Sequence, residues 1–215
     1  MATIHGVSLS PFVRKVQIAL EHKGVDYDLN PVSPIDLPAE YKQKSPLGKA
    51  PCYEDGTVVL PDSSVICQYL EEIYTTPAMY PADVVSRARW YEEYGDTKFI
   101  EVLGPPLLFE LVVKPNFLNR PVDQERVDDN LANGIPPVFG YLEGEVPDCG
   151  FMFGDDIGIA DIALGCPMLN ARYAEFEIDA ARWPKLAAYT TRLLAHPAFQ
   201  KRAAADMKVM KSLPL

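Results

Sequence analysis

The chain has 215 residues, of which 48% are hydrophobic, enough for a sizeable core in one large or two small domains. Its 30 acidic and 20 basic residues give a formal net charge of −10, which disfavours nucleic acid and anionic membranes as partners. No metal-ligand spacing, secretory signal or long apolar stretch is evident. Four cysteines are present, Cys52, Cys67, Cys149 and Cys166. Because none forms a C-x-x-C pair, we expect reduced thiols in a cytoplasmic protein.

The first part of the chain alternates strands and helices. The pattern predicts strands at 3–7 and 25–32, helices at 12–23 and 38–44, a hairpin at 53–60 and a helix at 65–73. Asp55-Gly56 is typical of the hairpin turn. This order of elements indicates an α/β domain.

Two short segments within this domain suit one small ligand. Gly48 permits an unusual turn, and Pro51 favours an extended Ala50 whose backbone can pair with an extended ligand. Asp62-Ser63 precedes a helix, where free N–H groups and the helix dipole favour a carboxylate and Asp62 offers a charge for an ammonium group. Together the two segments suit a small zwitterionic peptide.

These motifs carry a family resemblance. The run P-L-G-K-A-P, the hairpin, and L-P-D-S-S-V-I-C-Q-Y-L resemble the thioredoxin-like N-terminal domain of the cytosolic glutathione transferases. The resemblance implies a βαβ unit followed by a ββα unit, with a cis proline at Pro51. It also implies that Asp62 and Ser63 hold the γ-glutamyl end of glutathione. Lys49, beside Ala50, is our candidate for contact with the glycyl carboxylate.

The catalytic candidate is a serine at the start of the first helix. The pattern predicts Ser10 as the N-cap of this helix and Pro11 as its first helical residue. A capping hydroxyl still has its proton to donate. The stretch S-L-S-P-F-V-R-K-V-Q-I-A-L resembles the serine-type classes (phi, tau and zeta), in which one serine activates the thiol. We expect Ser10 to be that serine, with Ser8 as the alternative and a purely capping role left open.

The rest of the chain reads as a second domain. We expect a thioredoxin-like glutathione-binding domain at 1–76, a linker at 77–83 and an all-helical domain at 84–215 that contributes the electrophile pocket. One long helix is predicted to end near Gly104, and Pro136-Pro137 to kink or interrupt a helical run at 122–143. The pocket wall is expected between the domains, with candidates Leu9, Phe12, Tyr94, Leu107, Leu108 and Phe109.

The predicted function, as the resemblance implies, is glutathione transfer to a small electrophile. The resemblance also implies a homodimeric detoxification enzyme that uses glutathione as co-substrate and needs no metal. One alternative is a zeta-like glutathione-dependent isomerase, although the zeta serine-cysteine run is absent. The other is a non-catalytic binding or regulatory protein with the same fold, because fold does not fix function.

Overall fold

A four-stranded sheet and three helices form the N-terminal part of the computed structural model, which describes residues 1–33 and 37–211. The elements are β1 Ala2–His5, α1 Pro11–His22, β2 Tyr27–Asn30, α2 Ala39–Lys44, β3 Cys52–Glu54, β4 Val59–Pro61 and α3 Ser63–Ile73. The strand order is β2-β1-β3-β4; β1 is parallel to β2 and antiparallel to β3, which is antiparallel to β4. This confirms the thioredoxin-like arrangement.

Residues 85–211 are predominantly helical. The helices are α4 Val85–Tyr94, α5 Ile100–Leu103, α6 Lys114–Phe117, α7 Gln124–Asp129, α8 Ile135–Glu145, α9 Ile159–Tyr173, α10 Pro184–Ala195 and α11 Pro197–Lys211. Helix α9 is the centre of this part, since every residue from Ile159 to Ala171 is buried. None of the helices in the described residues is both long and apolar enough to cross a membrane.

Three π-helical segments, Gly95–Phe99, Gly104–Val113 and Asn130–Gly134, join shorter α-helices. The prediction that the long helix ends near Gly104 was therefore wrong, because a π-helix continues through Pro105 and Pro106. Prolines lack an N–H donor, and their position in the first turn of that segment needs none. Pro136-Pro137 likewise lies in the first turn of α8, directly after the π-helix Asn130–Gly134, so the chain stays helical across this region and a kink there stays a prediction.

Helix α1 joins the two parts through charged side chains that are almost wholly buried. The Arg14 guanidinium lies 2.6 Å from the Asp206 carboxylate on α11 and donates to Cys166 O and Asn170 Oδ1 on α9 at 2.9 and 2.7 Å. A buried ion pair is strongly destabilising when one partner is removed. These contacts fix the position of α1, and hence of Ser10 one turn earlier, relative to α9 and α11.

A second ionic group supports the loop before β3. Lys44 Nζ on α2 lies 2.7 Å from Glu54 Oε2 on β3, and His5 Nε2 lies 2.8 Å from Glu54 Oε1. Hydrogen bonds from Lys44 and His5 lower the pKa of the Glu54 carboxyl below its ordinary value. The group ties α2 to the sheet on either side of Lys49 and Ala50. Of the cysteines, Cys52, Cys67 and Cys166 are buried free thiols and Cys149 is an exposed one.

Candidate functional site

A cavity of about 550 Å³ lies between the sheet part and the helical part. The start of α1, the loop before β3, the start of α3 and the end of α4 with the π-helix after it all contribute to its wall. The predicted residues Ser10, Lys49, Ala50, Pro51, Asp62, Ser63 and Phe12 line it. The fold thus brings together segments that are far apart in sequence, from Ser10 to Thr97.

Ser10 caps α1 with a hydroxyl that keeps its own proton. Its backbone is extended and Pro11 is the first helical residue, as predicted. The Oγ atom accepts from Val13 N at 3.4 Å, a long bond that leaves the O–H free to donate. Ser8 differs: it is buried, its Oγ has no partner in the described structure, and it is not among the residues that line the cavity. The geometry favours Ser10 over Ser8.

A close approach of two loops places Ala50 beside the start of α1. Gly6, at the end of β1, has φ +148°, and a Cβ there would lie 3.2 Å from Ala50 Cβ and 2.5 Å from Val13 Cγ2. Only glycine permits this conformation and contact. The Ala50-Pro51 peptide bond is cis, the isomer that the family resemblance implied. Tyr41 and Ser45 hydroxyls both donate to Lys49 O, at 2.9 and 2.7 Å, and hold the loop from behind.

The start of α3 forms another part of the cavity wall. Asp62 is the N-cap, and its Oδ1 accepts from Ser64 N at 2.9 Å and Val65 N at 3.2 Å. Its φ of 79° is unusual for a residue other than glycine, and such strain clusters at ligand-binding sites. Ser63 is buried, whereas Asp62 is exposed. The carboxylate of Asp62 is therefore accessible to a ligand at this helix start.

Sequence reasoning missed the contribution of the helical part. Glu93, Asp96 and Thr97, from the end of α4 and the following π-helix, also line the cavity. Spacing along the chain does not show which distant elements pack against each other, and no motif marks these positions. Charged residues four apart, Glu92 and Asp96, were the available signal, but they equally fit a solvated helix face.

A buried lysine supports Asp96 from beneath the cavity. Lys15 Nζ on α1 lies 2.5 Å from Asp96 Oδ2, 2.8 Å from Ser64 Oγ and 2.8 Å from Glu92 Oε1. Burial alone would lower the pKa of Lys15, but the Asp96 and Glu92 carboxylates raise it well above its ordinary value. Lys15 therefore stays charged, and it compensates the negative charge of Asp96 at the cavity wall.

Most of the residues predicted for the electrophile wall lie elsewhere. Phe12 lines the cavity, but Leu9, Tyr94, Leu107, Leu108 and Phe109 are not among its lining residues in the described part of the chain. Leu107 belongs to the hydrophobic core, with 1% exposure. Tyr94 packs against Tyr141 with ring centroids 4.7 Å apart. For these five residues, contact with an electrophile stays a prediction, and core packing accounts for Leu107.

Comparisons with known proteins agree with this geometry. Residues 4–78 match the family model for the glutathione S-transferase N-terminal domain, and residues 105–197 match that for the C-terminal domain. A maleylacetoacetate isomerase of Pseudomonas aeruginosa is 31% identical over 194 residues, which cover 87% of this chain and 88% of the relative.

A glutathione S-transferase Z2 of Arabidopsis thaliana is 29% identical over 196 residues, which cover 89% of this chain and 85% of the relative. Among solved structures, human glutathione S-transferase T1-1 in its apo form has the same fold, with a TM-score of 0.82. It is 24% identical, and the alignment covers 100% of this chain and 92% of that chain. The family models and the curated relatives cover both parts of the fold. The chain therefore belongs to the glutathione S-transferase family.

Proposed function

We propose that the protein binds glutathione in this cavity and transfers it to a small electrophile. The observation that carries the proposal is that one cavity wall combines the Ala50 backbone, the Asp62-Ser63 helix start, Lys49 and the Ser10 hydroxyl. Ala50 would pair with the cysteinyl backbone of glutathione, and the start of α3 would hold the γ-glutamyl carboxylate. Asp62 would bind the ammonium group and Lys49 the glycyl carboxylate.

The chemical role of Ser10 follows from its position at a helix start. A free thiol with a pKa near 8.5 is only a few per cent ionised at neutral pH, as an order-of-magnitude figure. The Ser10 hydroxyl and the N-terminus of α1 would both stabilise the thiolate and lower that pKa. In a substitution, the thiolate sulfur then forms a bond with the electrophilic carbon, and the bond from that carbon to its leaving group breaks, with the electron pair going to the leaving group.

A second candidate function is glutathione-dependent isomerisation, which the 31% identity to a maleylacetoacetate isomerase favours. In that reaction glutathione would be regenerated rather than consumed. An assay with substrate in excess over glutathione distinguishes the two functions. Conjugation stops when the thiol is exhausted, whereas isomerisation continues at constant thiol concentration.

The test of the glutathione site is calorimetric titration of glutathione into the Asp62→Asn variant. Asparagine keeps an oxygen that can cap Ser64 and Val65 and removes only the charge. A lost hydrogen bond to a charged group costs about 1.5–3 kcal/mol. Because Asp62 is exposed, we expect a cost near the lower value, which corresponds to a roughly tenfold loss of affinity for glutathione.

Asp55→Asn is the matched control. Asp55 also caps two backbone N–H groups, those of Thr57 and Val58 at 2.8 and 3.1 Å, but it lies in the hairpin turn and does not line the cavity. Glutathione affinity that is unchanged by Asp62→Asn, or lowered equally by Asp55→Asn, would contradict the proposed site.

We also propose that the protein acts as a homodimer in the cytoplasm, in detoxification. Val65 on α3 is 49% exposed and Trp90 on α4 is 50% exposed. A 2.7 Å hydrogen bond from Arg89 to Gln68 connects the two helices, and each of them has an exposed apolar side chain. Two-fold dimers are the commonest oligomers. Light scattering should give about twice the chain mass of 23.9 kDa, and the monomer mass at micromolar concentration would count against a dimer.

A further inference from the structure

The wall that the helical part contributes to the cavity is acidic rather than apolar. Glu93, in the last turn of α4, is exposed and lines the cavity together with Asp96 and Thr97. Thr97 lies one turn further on, and its hydroxyl donates to Glu93 O at 2.6 Å. Among the thioredoxin-like segments on the opposite wall, Phe12 supplies an apolar surface close to Ser10 in sequence.

The charges on the cavity wall differ in how they are compensated. Lys15, which Asp96 shares with Glu92, offsets part of the charge of Asp96 from beneath. Asp62 lies at the N-terminus of α3, where the positive end of the helix dipole offsets its charge. Glu93 has neither kind of compensation: among the side chains that the structure describes, in residues 1–33 and 37–210, none forms an ion pair with its carboxylate. Lys49 is the one cationic side chain among the lining residues in that part of the chain.

We propose that Glu93 is a specificity-determining residue that selects uncharged or cationic electrophiles over anionic ones. The inference rests on the proposed function. In that function Lys49 is engaged by the glycyl carboxylate of glutathione, so the cavity has no side-chain cation left for an anionic electrophile. The Glu93 carboxylate then repels an anionic substituent. For charges 5–8 Å apart at a solvated surface, the repulsion corresponds to about a three- to tenfold loss in kcat/KM.

Two aryl chlorides that react by the same step provide the test. In 1-chloro-2,4-dinitrobenzene the ring has no ionised substituent, whereas 4-chloro-3,5-dinitrobenzoate has a carboxylate. With either probe the glutathione thiolate forms a C–S bond at the chlorinated carbon. The C–Cl bond then breaks, chloride leaves with the bonding electron pair, and the thiol proton passes to solvent. For each probe, kcat/KM is measured and divided by the rate constant of the uncatalysed reaction. The ratio compared between variants is this value for the anionic probe divided by the value for the neutral probe.

We expect the wild-type ratio to be well below one, and Glu93→Gln to raise it by about three- to tenfold at low ionic strength. In about 1 M salt the Debye length is near 3 Å, so most of the difference between wild type and variant should disappear. Glu101→Gln is the matched control, because Glu101 is an exposed glutamate nearby on α5 that pairs with Lys98 at 2.8 Å and does not line the cavity. It changes the net charge equally and should leave the ratio near the wild-type value.

Several results would overturn the inference and leave the proposed function standing, and two of them come from the variants. One is an unchanged ratio in Glu93→Gln; the other is an equal rise in Glu101→Gln, which would assign the effect to net charge. If the wild type accelerates conjugation of neither probe although glutathione binds, the proposed transfer itself is refuted, and this inference with it. A ratio at or above one in the wild type also contradicts the role of Glu93.

Discussion

Replacing Ser10 with alanine tests the catalytic part of the proposal most directly. The Ser10 hydroxyl is a free donor at the helix start, and a hydrogen bond to a charged acceptor contributes about 1.5–3 kcal/mol. Its loss should raise the pKa of bound glutathione by about one to two units. Conjugation at neutral pH should therefore fall roughly ten- to a hundredfold, and recover in part as the pH rises toward the new pKa.

The structural cost of this substitution should be small. The capping bond to Val13 N is 3.4 Å long, so Ser10→Ala should lower the free energy of unfolding by no more than about 1 kcal/mol. Thermal unfolding checks this independently of activity. Ser10→Thr keeps a hydroxyl and should retain more activity than Ser10→Ala.

The assay is the ultraviolet absorbance of the thiolate in the enzyme–glutathione complex as a function of pH. Ser8→Ala is the control, because Ser8 has a buried hydroxyl with no partner in the described structure, so its removal should leave the titration unchanged. A titration that moves only in Ser8→Ala would assign the catalytic role to Ser8. If neither variant moves it, the helix start and backbone alone set the thiol pKa, and Ser10 acts only as a cap.

Three further predictions concern the charged groups that hold the site in place. Lys15→Met should lower the free energy of unfolding by about 3–5 kcal/mol, measured by urea denaturation, because it leaves Asp96 buried without its cation; a loss below about 1 kcal/mol would contradict the ion-pair description. Asp206→Asn should leave the Arg14 charge unpaired and increase hydrogen exchange in α11 more than in the sheet; uniform exchange would argue against a local contact. The folded-state pKa of Glu54 is below its unfolded value, so its stabilisation is present above the unfolded pKa and is lost as the pH falls through the folded pKa. Glu54→Gln should therefore show a smaller decrease in Tm on acidification than the wild type, and an equal decrease would refute this.

Much of the sheet part could be predicted because its signals are local. The Ser10-Pro11 helix start, the Asp55-Gly56 turn and the Asp62 cap each depend on a few adjacent residues, and the structure has each at the predicted place. Helix caps and tight turns depend on a few neighbouring residues, so a single sequence is enough to predict them.

Burial was predicted less well in both parts of the chain, because apolar spacing indicates a helix but not which side is buried. Val65 and Ile73 fit the apolar pattern of α3 yet are exposed, and Leu107 fits a pocket wall yet lies in the core. The prolines after Gly104 indicated an end to a helix that continues as a π-helix. In each case the packing partners are distant in sequence, and tertiary contacts override local preference.

By itself, the sequence determined the thioredoxin-like order of elements, the two motifs that carry the family resemblance and the serine at the start of α1. Only the tertiary structure decided that Asp96 joins this site, held by Lys15 from 81 residues away in the chain, and that Ser10 rather than Ser8 lines the cavity. The physical reason is that the charge on a cavity wall depends on which ions are compensated by buried partners. That compensation arises only when α1, α3 and α4 pack together.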